Sequence, residues 1–174
     1  GHGERNIHQA GDRNYTSFGE DKHFRYALMN QGFEVQEISL EKEIPEEINI
    51  LIVAEMRSPF TPVERENWEK YIARGGNLMI LSDPGRGSIM GEVLADFGVR
   101  LIPGTLVRQT KDFSPDLIEA RPTQAAAGLV YYFDAMRAQG YSVTMPSVSA
   151  LAYDGNMGYN VTPLFETDSL VWNE

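Results

Sequence analysis

The sequence contains no cysteine. That removes disulfides, thiolate metal sites and a cysteine nucleophile together, while leaving the compartment open. No apolar run approaches the ~20 residues a membrane helix requires, and no signal-peptide pattern is present. Basic residues are outnumbered, 15 Lys and Arg against 25 Asp and Glu, for a formal net charge of −10. With no run of basic residues, this argues against a nucleic-acid surface, which relies on clustered Lys and Arg. Histidine is scarce: His2, His8 and His23 all fall in the first 23 residues. There is no Gly-x-x-x-x-Gly-Lys-Ser/Thr phosphate loop and no Gly-x-Ser-x-Gly nucleophile elbow.

What is present centres on residues 48–84. Two apolar runs, Ile50-Leu51-Ile52-Val53-Ala54 and Leu78-Met79-Ile80-Leu81, suit strands buried on both faces. Between them lies an amphipathic helix pattern. Thr61 is its expected N-cap, Pro62 its first helical residue, and Glu64 completes a capping box. Trp68, Tyr71 and Ile72 share one face, and Gly75-Gly76 ends the helix. Strand, helix and strand predict a βαβ unit.

At 174 residues the chain suits one domain, 1–174, burying roughly 70% of its unfolded surface. Residues 1–16 read as a polar loop. A helix is expected from Ser17, with Glu20 as a second capping-box member and Phe24, Ala27 and Leu28 on its apolar stripe. Gly32 stops it, and Phe33–Leu40 reads as a strand. After Asp83-Pro84-Gly85, the spacing of Ile89, Met90, Val93, Leu94 and Phe97 predicts another helix, capped by Gly98. Short strands follow at 99–102 and 105–108. This order predicts an α/β fold with an open, mainly parallel sheet and helices on both faces. Residues 17–108 form its regular core, and 109–174 form a less regular C-terminal part with additional strands. There, 111–128 reads mostly as loop. Residues 129–139 read as either helix or strand and turn, and 147–153 and 159–165 read as strands joined by a turn around 154–158.

The ordered set Gly-His-Gly-Glu-Arg at 1–5, QGFEVQEISL, IPEEINILIVAEMRSPFTPVE, YIARGGNLMILSDPG and the closing TPLFETDSLVW resembles the auxiliary domain of ABC-type transport systems linked to gliding motility. The resemblance leaves a gap from about 111 to 150. It implies a flavodoxin-like or class I glutamine amidotransferase-like fold. It implies an extracytoplasmic (periplasmic) domain of a membrane-anchored protein, working beside an ABC permease and ATPase. In that family a first strand precedes the Gly-His-Gly-Glu stretch, so this chain is expected to lack it.

In open α/β sheets, sites form outside the carboxyl ends of the strands. Three stretches fall there, carrying His2, Glu4 and Arg5; Glu55 and Arg57; and Asp83 and Arg86. They form an expected polar rim for a partner protein or a small polar envelope ligand. The alternative is that they are ordinary solvated loop residues. No catalytic residue is assigned, because no histidine follows the one elbow-like strand end, Ser82-Asp83-Pro84-Gly85. No metal ligand is assigned, because His2, Glu4 and His8 lack a helical His-Glu-x-x-His spacing. No cofactor is expected. Gly85-Arg86-Gly87-Ser88 opens a helix after a strand, and a helix N-terminus can hold an anion; the favoured alternative is an ordinary βα loop. The aromatic residues of the C-terminal third read as core. A non-enzymatic binding module is therefore expected, with a hydrolase or amidotransferase-like enzyme and a structural scaffold as the alternatives.

Overall fold

The computed structural model describes residues 2–8, 13–155 and 157–174, with the side chains of 13 and 14 excepted. The loop expectation for Gly1 and for 9–12, and the part of the 154–158 turn at Asn156, lie outside the described residues. Two compact units divide the chain, Gly1–Ser82 and Asp83–Glu174. The division falls inside the stretch 17–108 expected to form one regular core.

In the first unit, β1 (Ile50–Ala54), α2 (Pro62–Ala73) and β2 (Asn77–Leu81) follow the expected order, and β1 pairs with β2 in parallel, Ile50 opposite Asn77 through Ala54 opposite Leu81. The capping box forms: Glu64 N–H donates to Thr61 Oγ1 at 3.4 Å, and Thr61 N–H donates to Glu64 Oε2 at 2.8 Å. Trp68 and Tyr71 are fully buried. Gly75 has φ +83, and a Cβ on Gly76 would stand 2.3 Å from the Tyr71 ring, so the glycine pair serves both the left-handed turn and the close approach. Arg74 fixes the same end by donating to the carbonyls of Ile44 and Pro45 at 2.7 and 2.6 Å.

Upstream, two expectations are corrected. Helix α1 spans Arg13–Glu20 rather than starting at Ser17. It stops there because Asp21 turns the chain, accepting from His23 N–H at 2.9 Å. A short 3₁₀ helix, Leu28–Gln31, then ends at Gly32 with φ 88. Among the described residues, 33–40 join no ladder. A strand needs a neighbour on which to spend its hydrogen bonds, and sequence pattern alone does not supply one.

In the second unit, α3 (Gly87–Ala95) buries Met90 and Val93 as its spacing predicts. Strands β3 (Val99–Leu101) and β4 (Leu106–Arg108) also form. The region read as loop holds β5 (Leu117–Pro122) and α4 (Gln124–Leu129). The buried face of β5 is Ile118, Ala120 and Pro122, and the small and cyclic residues on it disguise the alternation. Residues 129–139 resolve as helix α5 (Tyr131–Gln139). Strands β6 (Val143–Pro146), β7 (Leu151–Tyr153), β8 (Phe165–Glu166) and β9 (Val171–Asn173) complete the unit. Its ladders are β3–β7, β4–β9 and β6–β5–β8, all antiparallel. The expected mainly parallel sheet is thus represented among the described residues by β1 and β2, in a mixed α/β structure. The aromatic residues expected as core are largely outside it: Tyr131, Tyr132, Tyr141, Tyr153 and Tyr159 are exposed.

Candidate functional site: the carboxyl end of β1

The loop leaving β1 meets the N-terminal segment. Arg5 N–H donates to Ala54 C=O at 3.0 Å and Arg57 N–H donates to His2 C=O at 2.8 Å. Residues 2–5 therefore run antiparallel to 54–57 as a clasp. Five of the seven residues expected on the rim, His2, Glu4, Arg5, Glu55 and Arg57, come together here. Gly3 makes the contact possible: it has φ +71, and a Cβ there would meet the Arg57 side chain at 3.1 Å.

His2 is buried between two acids. Its Nδ1 lies 2.8 Å from Glu4 Oε1 and its Nε2 lies 2.9 Å from Glu64 Oε2. Both ring nitrogens thus face a carboxylate oxygen. Glu4 also accepts from the His2 backbone N–H at 2.7 Å. The ring stands edge-on to Phe60, 5.3 Å between centroids, and Phe60 in turn packs on Trp68. Burial pushes the Glu64 carboxyl up, but the side-chain and backbone hydrogen bonds from Thr61 and the contact with His2 outweigh it and hold the pKa at about 2.

Glu55 follows β1 in the left-handed region, φ 55, and is buried. Such a conformation costs a non-glycine residue about 1 kcal/mol and persists only where its surroundings enforce it. They do so here. Its N–H donates to Leu81 C=O at 2.9 Å, Arg5 Nε donates to Oε2 at 2.8 Å, and the Tyr15 hydroxyl donates to Oε1 at 3.3 Å. Arg57 differs from its neighbours. It is exposed, and its guanidinium makes no hydrogen bond among the described residues.

Asp83 and Arg86 belong to the second unit, where Arg86 N–H donates to Asp83 C=O at 3.3 Å and Arg86 precedes α3 without a side-chain cap. His8 lies 3.1 Å from Glu20, and His23 is exposed. No group of three or more His, Cys, Asp or Glu side chains able to hold a metal occurs among the described residues. The sequence reading missed Glu64 and Tyr15 as members of the site. Glu64 is visible as a helix cap, but nothing local pairs it with a histidine 62 positions away.

A family model described as an ABC-type uncharacterized transport system matches residues 1–174. The chain belongs to that family. It is a transport-associated domain, and the site above is a feature of a member of the ABC-type transport family. A solved structure entitled "mmIFT52 N-terminal domain" is similar, with a TM-score of 0.59 and 18% identity over 83% of this chain. The chain spans 64% of that structure's length, and at this identity the likeness concerns the fold alone. No curated protein matches the chain.

Proposed function

We propose that this chain is a non-enzymatic auxiliary domain that binds a component of its ABC transporter, the permease or ATPase assembly, through the clasp at the carboxyl end of β1. The observation that carries the reading is the contrast within the clasp. His2, Glu4, Arg5, Glu55 and Glu64 engage one another, whereas Arg57 is held in place by its backbone and its guanidinium makes no hydrogen bond among the described residues. A stiff base under an exposed arginine suits recognition of a carboxylate on a partner protein or envelope ligand. The buried imidazole is engaged at both nitrogens, which suits a structural tie better than proton transfer.

The family assignment supports the transport setting, and the resemblance of the ordered motifs to the gliding-motility branch supports an extracytoplasmic position beside the membrane. No helix among the described residues is long and apolar enough to cross a membrane. The parallel β1–α2–β2 unit supports extension to an open, flavodoxin-like sheet.

The test is co-purification of the permease with the chain, wild type against Arg57→Glu. The proposal expects roughly tenfold less permease with Arg57→Glu, corresponding to about 1.4 kcal/mol, and an unchanged melting temperature. Equal recovery would contradict it.

A further inference from the structure

The clasp touches Arg57 through more than its backbone. The three heavy atoms nearest to where a Cβ on Gly3 would stand are Cδ, Cβ and Cγ of Arg57, at 3.1, 3.4 and 3.4 Å. These are the three methylene carbons of the arginine stem. The whole stem therefore lies along the bare backbone of Gly3, and the exposed side chain carries its guanidinium beyond it. An arginine can cover a surface with its stem while its charged head stays in water. Gly3 is itself pinned on both sides. Arg57 N–H donates to His2 C=O before it, and Arg5 N–H donates to Ala54 C=O after it. The His2 ring is held between Glu4 and Glu64.

A free arginine side chain has many rotamers, and ordering it on binding lowers affinity. A stem already laid down by the fold avoids most of that cost. Glycine at position 3 then answers two requirements. Its φ of +71 favours glycine, and any Cβ there would lift the stem. The turn explains only the first, since asparagine also enters the left-handed region.

We propose that Gly3 is a positioning residue for Arg57: its missing side chain fixes the direction of the guanidinium before a partner arrives, and so raises the affinity of the clasp for a carboxylate. This role in affinity rests on the reading of Arg57 as the contacting side chain. The ordering of the stem does not depend on that reading.

Nitrogen-15 relaxation at Arg57 Nε, in the whole chain without a partner, measures the ordering directly. The Nε–H order parameter is expected above about 0.6 in the wild type and below it in Gly3→Ala and Gly3→Asn. Asparagine keeps the left-handed backbone at lower cost than alanine, so it separates loss of the stem's floor from backbone strain. Slow exchange at the Arg5 amide checks that the clasp stays closed. Permease recovery is then measured in a double-mutant cycle. Gly3→Asn alone recovers roughly threefold to tenfold less permease, and combined with Arg57→Ala it lowers recovery no further. A wild-type order parameter below about 0.6 overturns the proposal even if neither glycine variant folds. So does an order parameter equal in wild type and variants. A loss that adds in full to that of Arg57→Ala also overturns it, because Gly3 then acts through the clasp and not through the arginine. Unchanged recovery with Arg57→Ala contradicts the binding reading instead, and relaxation still decides whether Gly3 orders the stem.

Discussion

The two ends of α2 are fixed by different physics. At its N-terminus, charge holds the helix: Glu64 is bonded to Thr61 and to the imidazole of His2. At its C-terminus no carboxylate bond is involved: Gly76 lies against the Tyr71 ring, Gly75 makes the left-handed turn, and Arg74 donates to the carbonyls of Ile44 and Pro45. Because Arg74 stays charged across the working pH range, the shape-fixed end does not depend on pH, and it tolerates no added atom beside the ring. A charge-fixed end tolerates small changes in volume but depends on ionisation, and it ties the helix to the clasp at the carboxyl end of β1. The exposed Arg57 stands beside the charge-fixed end.

The largest effect belongs to the shape-fixed end. Gly76→Ala places a methyl group against a fully buried ring, and overpacking of this kind costs roughly 2–3 kcal/mol. Urea unfolding at two pH values measures it, and the loss is the same at both. At the other end, His2→Ala removes a buried partner from both Glu4 and Glu64 and costs about 1–3 kcal/mol. An unchanged midpoint for His2→Ala would show that the histidine is a bystander.

Glu64 sharpens the contrast. Its folded pKa of about 2 lies below the ordinary 4.5. Its contribution is therefore fully present above pH 4.5 and is lost as pH falls towards 2. Glu64→Gln should flatten the acid limb of the stability curve across that window, whereas Gly76→Ala should displace the curve without changing its slope. Parallel acid limbs for wild type and Glu64→Gln would contradict the assignment. The smallest effect on stability is expected for Arg57→Ala, within about 0.5 kcal/mol, while partner recovery falls.

How much was legible in sequence follows from where the information lies. The β1–α2–β2 unit was readable because its signals are local: Thr61, Pro62 and Glu64 mark one end of the helix and Gly75-Gly76 the other. The 33–40 segment has the composition of a strand but no ladder among the described residues, because pairing is a non-local property. Strand β5 was hidden by Ala120 and Pro122 on its buried face. The rim residues of the first unit could be placed at one strand end because strand ends are readable and loops follow them. The partner that holds His2 was not found, because Glu64 already had a sufficient local explanation as a helix cap. The exposure of Tyr131 and Tyr132 was also unreadable, since an aromatic pattern on a helix does not reveal whether anything packs against it.

The central question is whether the clasp faces the transporter. Cross-linking mass spectrometry on the full-length protein in its native membranes tests this directly. Cross-links from the loop carrying Arg57 to an ABC permease or its ATPase are the predicted result. A protein recovered free of the membrane, with no such cross-links, would contradict it.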